Sequence, residues 1–206
     1  FSTSASARLP GKLAPYSPIT FFDLDGDGDL DLLTAFGLES RLARNDGKGT
    51  FTLVSIHPFT KSLSFAYQVV ADLGGDGDMD LLLTNTNNGA LFLNDGRNQW
   101  RPVSLVSLPG YAGGQSRPGM VTLDVEGDGD LDLVNTIAGK PLLLLGDGSG
   151  RFTPAPAGRM PGTSRAAHFI EKADIEGDGD LDLVLRLNYK RTGLFLGDGK
   201  GSFKEA

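Results

Sequence analysis

Short runs of β-forming residues alternate with turn-forming clusters along the chain, and the runs recur in the same order four times. Each round opens with a run such as ITFFDL (19–24), YQVVADL (67–73), GMVTLDV (119–125) or HFIEKADI (168–175). A second run follows a short acidic, glycine-bearing gap: LDLLTAF (30–36), MDLLLTNT (79–86), LDLVNTI (131–137) and LDLVLRL (181–187). The third reads RLARN (41–45), ALFLN (90–94), PLLLLG (141–146) and GLFLG (193–197), and an aromatic opens the fourth at Phe51, Trp100, Phe152 and Phe203. Apolar runs of this length, bounded by Gly, Asp, Asn and Pro, predict strands joined by tight turns. The turns NDG (45–47, 94–96) and GDG (146–148, 197–199) supply the positive-φ positions that hairpins require. Helical periodicity over ten or more residues is nowhere convincing.

The rounds keep a fixed pitch. The acidic gaps begin at Asp23, Asp72, Asp124 and Asp174, which are 49, 52 and 50 residues apart. The turn aspartates Asp46, Asp95, Asp147 and Asp198 follow 23, 23, 23 and 24 residues later. Four antiparallel strands in a repeat of about 50 residues make an all-β fold, a β-propeller of four-stranded antiparallel blades. The expected blades are 16–56, 66–107, 118–157 and 167–206. Phe1 precedes Asp23 by 22 residues, as Phe152 precedes Asp174, so 1–9 reads as the outer strand of a closing or adjoining blade. A closed four-bladed ring, a self-assembly and a portion of a larger propeller all remain open.

Charge sharpens the picture. The formal net charge of -7 hides a segregation: 19 of the 26 acidic residues lie in the four gaps, and the rest of the chain is net basic by 12. The gaps read DLDGDGDLD (23–31), DLGGDGDMD (72–80), DVEGDGDLD (124–132) and DIEGDGDLD (174–182). The candidate metal-binding residues are therefore Asp23, Asp25, Asp27, Asp29 and Asp31; Asp72, Asp76, Asp78 and Asp80; Asp124, Glu126, Asp128, Asp130 and Asp132; and Asp174, Glu176, Asp178, Asp180 and Asp182. Alternating carboxylates around glycine turns offer the six to eight oxygens that a hard cation such as Ca²⁺ takes. In nine-residue numbering of the first copy, side-chain oxygens fall at the first, third, fifth and ninth positions, with the seventh placed to offer its carbonyl. An EF-hand does not fit, because its bidentate acid at the twelfth position is replaced by Thr34, Leu83, Asn135 and Leu185 and its flanking helices by strands. The second copy has Gly74 at the third position and is expected to bind most weakly.

These residues identify a family resemblance. The motif D-x-D-G-D-G-D-x-D-L, followed by N-D-G-x-G-x-F at a steady pitch, resembles the FG-GAP/VCBS repeats of integrin α-like propellers and of secreted lectin and enzyme-associated propellers. The resemblance implies about one Ca²⁺ per repeat, up to four, in the loop between the first and second strands. It implies an extracellular or cell-surface setting as well. Propellers of this family commonly have seven blades or so, and four repeats are present here.

If acidic loops and D-G turns share one face, the other connections line the opposite one. The candidate ligand-binding residues there are Arg41, Lys61, Tyr111, Arg117, Arg159, Arg165, Tyr189, Lys190 and Arg191. Such a surface suits an acidic glycan or protein loop. The expectation is a non-catalytic recognition module, lectin-like or adhesive. The alternatives are a propeller domain of a polysaccharide-degrading enzyme and a structural subunit of an extracellular assembly. His57 and His168 have no visible nucleophilic partner, and a fourfold carboxylate pattern marks a fold device, because catalysis needs one site. Absent cysteines exclude disulfides and thiolate-bound zinc. The longest apolar run, PLLLL (141–145), is too short for a membrane helix, and no nucleic-acid module is visible.

Overall fold

The computed structural model describes residues 19–34, 41–54, 67–84, 89–97, 99–103, 119–137, 140–161, 167, 169–188 and 191–206. These residues form sixteen strands in four sheets and no helix. Blade one comprises β1 (Ile19–Phe22), β2 (Asp31–Thr34), β3 (Arg41–Asn45) and β4 (Phe51–Val54). Blade two comprises β5 (Tyr67–Ala71), β6 (Asp80–Thr84), β7 (Gly89–Asn94) and β8 (Trp100–Val103). Blade three comprises β9 (Met120–Leu123), β10 (Asp132–Ile137), β11 (Lys140–Gly146) and β12 (Phe152–Pro154). Blade four comprises β13 (Phe169–Ala173), β14 (Asp182–Asn188), β15 (Arg191–Gly197) and β16 (Phe203–Glu205). Each sheet is an antiparallel meander in chain order, as short local connections favour.

Side-chain alternation along each strand sends one set of residues to the following blade and the other to the preceding one. Phe22, Leu24, Leu33 and Leu42 of blade one form a cluster with Leu81, Leu83 and Phe92 of blade two. The opposite set in blade two, Ala71, Leu73, Leu82, Leu91 and Leu93, meets Leu133 and Leu144 of blade three. Leu123, Val125, Val134 and Leu143 of blade three then meet Ile170, Leu183, Leu185 and Phe195 of blade four. The core is thus the stack of junctions between sheets, which is why every second strand (β2, β6, β10, β14) is so apolar. The first strands also touch: Gln68 Nε2 donates to Thr20 Oγ1 at 2.5 Å, and Lys172 Nζ donates to the Thr122 carbonyl.

Register fixes where the acidic residues sit. Phe22 pairs with Asp31 and Asn45 with Phe51, so the loop between first and second strands and the turn between third and fourth share one end of the blade. The same holds for Ala71 with Asp80 and Asn94 with Trp100, and for Ala173 with Asp182 and Gly197 with Phe203. All four acidic loops lie at the same end of the stack, and loops one to three each lean on the turn of the next blade. Asn94 Nδ2 donates to the Leu24 carbonyl at 2.8 Å, and Gly201 N–H donates to the Val125 carbonyl at 2.6 Å. At the middle junction a Cβ on Gly75 would lie 2.9 Å from the Gly148 carbonyl oxygen.

Candidate metal centre

Each acidic loop is wound around the carboxylate of its first aspartate. Asp23 Oδ1 accepts from Gly26 N–H at 2.8 Å and Oδ2 from Gly28 N–H at 2.9 Å. Asp124 and Asp174 accept from Gly127 and Gly129 and from Gly177 and Gly179, and Asp72 accepts from Asp76 and Gly77. The fifth-position carboxylates Asp27, Asp76, Asp128 and Asp178 each accept the N–H two residues on, at 2.9–3.1 Å. Both glycines of loop one turn through positive φ, 74° at Gly26 and 89° at Gly28, a conformation other residues resist. Tight winding brings the carboxylates together in spite of their repulsion.

The ninth position has a role that its ligand pattern alone does not reveal. Asp31, Asp80, Asp132 and Asp182 are at most 1% exposed. In each, Oδ2 accepts an N–H from the second loop position: Leu24 (2.9 Å), Leu73 (2.7 Å), Val125 (2.8 Å) and Ile175 (2.8 Å). Oδ1 accepts an N–H from the end of the third strand: Asn45 (2.6 Å), Asn94 (2.8 Å), Gly146 (2.8 Å) and Gly197 (2.9 Å). One buried carboxylate therefore staples the acidic loop to the neighbouring hairpin. Burial raises the pKa of Asp31 and Asp132 and pushes Asp80 up to about 6, against the opposing pull of the donated N–H groups. A cation in the loop would favour the ionised form.

The turn aspartates work the other way. Asp46, Asp147 and Asp198 are exposed, and N–H groups two and four residues on hold each below the usual carboxylate range; at Asp147 the Ser149 hydroxyl leads. The seventh-position side chains Asp29, Asp78, Asp130 and Asp180 turn out of the loop onto the turn glycines. A Cβ on Gly47, Gly96, Gly148 or Gly199 would lie 2.2–2.6 Å from one of their oxygens. That leaves the seventh residue its backbone carbonyl to offer the loop.

The third position separates the four copies. In loop one, single oxygens of Asp23, Asp25 and Asp27 lie within 4.8 Å of one another, the spacing of ligands about one ion. The Asp25 side chain is 10% exposed, and its Oδ1 is buried without a hydrogen-bond partner. A buried orphan carboxylate oxygen is costly, so this loop fits a hard cation well. Asp23, Asp25, Asp27 and Asp31 would hold it, with the Asp29 carbonyl. Loop two has Gly74 in place of the carboxylate. In loop three Glu126 Oε1 accepts from Arg159 Nη1, and in loop four Glu176 is exposed, its pKa raised by partial desolvation and by Asp178, Asp182 and Asp174.

Arg159 is a correction. The crossover 154–168 is expected on the face opposite the acidic loops, yet its first part returns to them. Ala155 N–H extends the hairpin by donating to Leu143, and a turn closes from Arg159 N–H to the Pro156 carbonyl at 3.3 Å. The Arg159 carbonyl then accepts from Phe203 N–H at 2.8 Å, which sets the guanidinium against Glu126. Arg41 and Arg191 do open β3 and β15 at the end away from the loops. Lys61, Tyr111, Arg117, Arg165, Tyr189 and Lys190 lie outside the described residues, as do 1–9 and both histidines. Sequence reasoning missed Arg44, whose Nε lies 2.5 Å from Asp25 Oδ2; its counterparts are Leu93, Leu145 and Leu196, so the odd residue in the repeat was the available signal.

The family model described as FG-GAP-like repeat matches residues 23–83, 72–135 and 124–185. The chain belongs to the FG-GAP-like repeat family. Among solved structures, this FG-GAP-like chain is similar to an Agrocybe aegerita lectin that specifically recognises non-reducing terminal N-acetylglucosamine. The TM-score is 0.59 at 22% identity, over 89% of this chain and 49% of that one. A second likeness, to the Photorhabdus luminescens Tc holotoxin pore, has a TM-score of 0.52 at 24% identity over 96% of this chain and 9% of that one. At these identities the likeness is one of fold. The chain spans about half the length of the lectin it matches. No curated protein matches it in sequence. Among the described residues no helix is long and apolar enough to cross a membrane.

Proposed function

We propose that the FG-GAP-like array is a calcium-stabilised, extracellular and non-catalytic recognition module, with carbohydrate its favoured ligand class. The observation that carries the reading is loop one, where three carboxylates converge around a buried, unpaired Asp25 oxygen while the strands beyond stay rigidly paired. The same device in four copies is scaffolding, and this directs ligand recognition to the opposite end, where Arg41 and Arg191 begin their strands. Lys61, Tyr111, Arg117, Arg165, Tyr189 and Lys190 complete the proposed ligand surface, and Arg159 leaves it. The fold likeness to an N-acetylglucosamine-recognising lectin supports the carbohydrate class. A glycan array probed in calcium buffer tests this reading. Calcium-dependent binding to a defined set of glycans is expected, lost in Arg191→Ala. Turnover of a bound polymer would make the chain part of an enzyme, and silence on every glycan would remove the lectin reading.

A specific observation favours an assembly role as well. Leu24, Leu73 and Val125, at the second loop position, are 1%, 3% and 6% exposed beneath the next blade, but Ile175 is 47% exposed. At the other end of the array Ile19, Phe21 and Leu30 are each more than half exposed. A further blade, from a longer chain or from a second copy, is the occupant that fits Ile175, because three junctions in this chain show how such a blade seats. Sedimentation of the 206 residues separates the two: self-association that Ile175→Asp abolishes assigns the face to a second copy, and a monomer at high concentration assigns it to a further blade of a longer chain.

A further inference from the structure

We propose that Arg44 and Arg159 are resident counter-cations of acidic loops one and three, each holding the third-position carboxylate, so that these two loops keep their form without metal. The inference rests on the calcium reading above and adds to it which loops depend on the ion.

The repeat itself exposes the pattern. Two residues before the turn aspartate, blades two, three and four carry Leu93, Leu145 and Leu196, and blade one carries Arg44. Arg44 Nε lies 2.5 Å from Asp25 Oδ2, and its Nη2 lies 3.6 Å from Asp27 Oδ2. The guanidinium grips the outer oxygen of Asp25 and leaves Oδ1, buried and unpartnered, for an ion. In loop three the partner comes from a different place. Arg159 reaches Glu126 from the crossover, while its own carbonyl is tied to Phe203 at the blade-four turn. Two unrelated positions thus deliver a guanidinium to the same loop position. Loop two needs none, because Gly74 removes the charge. Loop four carries the carboxylate Glu176 at this position, and it is exposed.

A resident cation has two consequences of opposite sign. It relieves carboxylate repulsion when metal is absent, and it repels a divalent ion when metal arrives, since ligand charge tunes calcium affinity. Arg44→Leu, the residue of the other blades, should therefore lower the thermal midpoint in chelator. It should also tighten calcium binding at loop one by several-fold at low salt, an effect that fades as salt screens it. The amide resonances of Gly26 and Gly28 read loop one separately from the other three during a calcium titration by NMR. Arg44→Lys, which keeps the charge, should stay near the wild type. Arg159→Leu should do the same at Gly127 and Gly129, and Arg159→Lys separates its charge from its packing at the junction.

Weaker calcium binding together with a lower midpoint in Arg44→Leu would make Arg44 an orienting residue and overturn the proposal. No change in either quantity would make it a spectator and overturn it too. If wild-type protein shows no calcium response, the calcium reading fails, and the chelator midpoint alone still decides whether Arg44 compensates loop one.

Discussion

At the residue scale, the carboxylates of one loop do different work, and their substitution should show it. Asp80 accepts three backbone N–H groups in full burial. Asp80→Ala leaves those donors unpaired and should cost about 3 kcal/mol or more, read as a shift in urea midpoint. Asp78→Ala, at a half-buried position facing Gly96, should cost less than about 1 kcal/mol by the same measurement. The turn aspartates set an acid limb. Their folded pKa values are depressed, so their contribution is present above the unfolded value of about 3.9 and is lost as pH falls through the folded values. Asp198→Ala should lower the midpoint by a few degrees at pH 7, and the difference from wild type should shrink below pH 4; a constant difference would contradict this. That Asp31 also staples the loop was not legible in the sequence: in DLDGDGDLD the ninth position reads as one more ligand, and only the third-strand partner fourteen residues on reveals its second role.

At the element scale, strands and hairpins were legible nearly to the residue, because each is bounded by chemistry local to it. Aromatics open all four outer strands, and the D-G turns fall where the pattern sets them. Gly148, at φ 63°, also leaves room for Asp130. Gly148→Ala should therefore cost roughly 1–3 kcal/mol through backbone strain, with the side chain of Asp130 displaced. The crossover beyond β12 was not legible. Its course depends on Phe203 and Glu126, which are distant in sequence, and nothing within PAPAGRMPG announces a return to the acidic end.

At the scale of the molecule, repetition gives the architecture its logic: no blade buries both faces alone, and each junction is built from residues of two repeats. Leu82, fully buried between blades two and three, tests this. Leu82→Ala should cost about 2–5 kcal/mol in a cooperative unfolding transition, since the cavity opens at a junction shared by two sheets. The sequence showed four repeats and their pitch, but it could not show that these four blades leave Ile175 exposed while they bury Leu24, Leu73 and Val125, because that burial comes from contacts between repeats. The central claim is that calcium pins the acidic loops and through them the blades. It is tested most directly by the thermal midpoint in millimolar calcium and again in excess chelator. Calcium should raise the midpoint by about 5–10 °C for a single site held at a hundred times its Kd, and chelator should reverse it. An identical midpoint in both buffers would contradict the account.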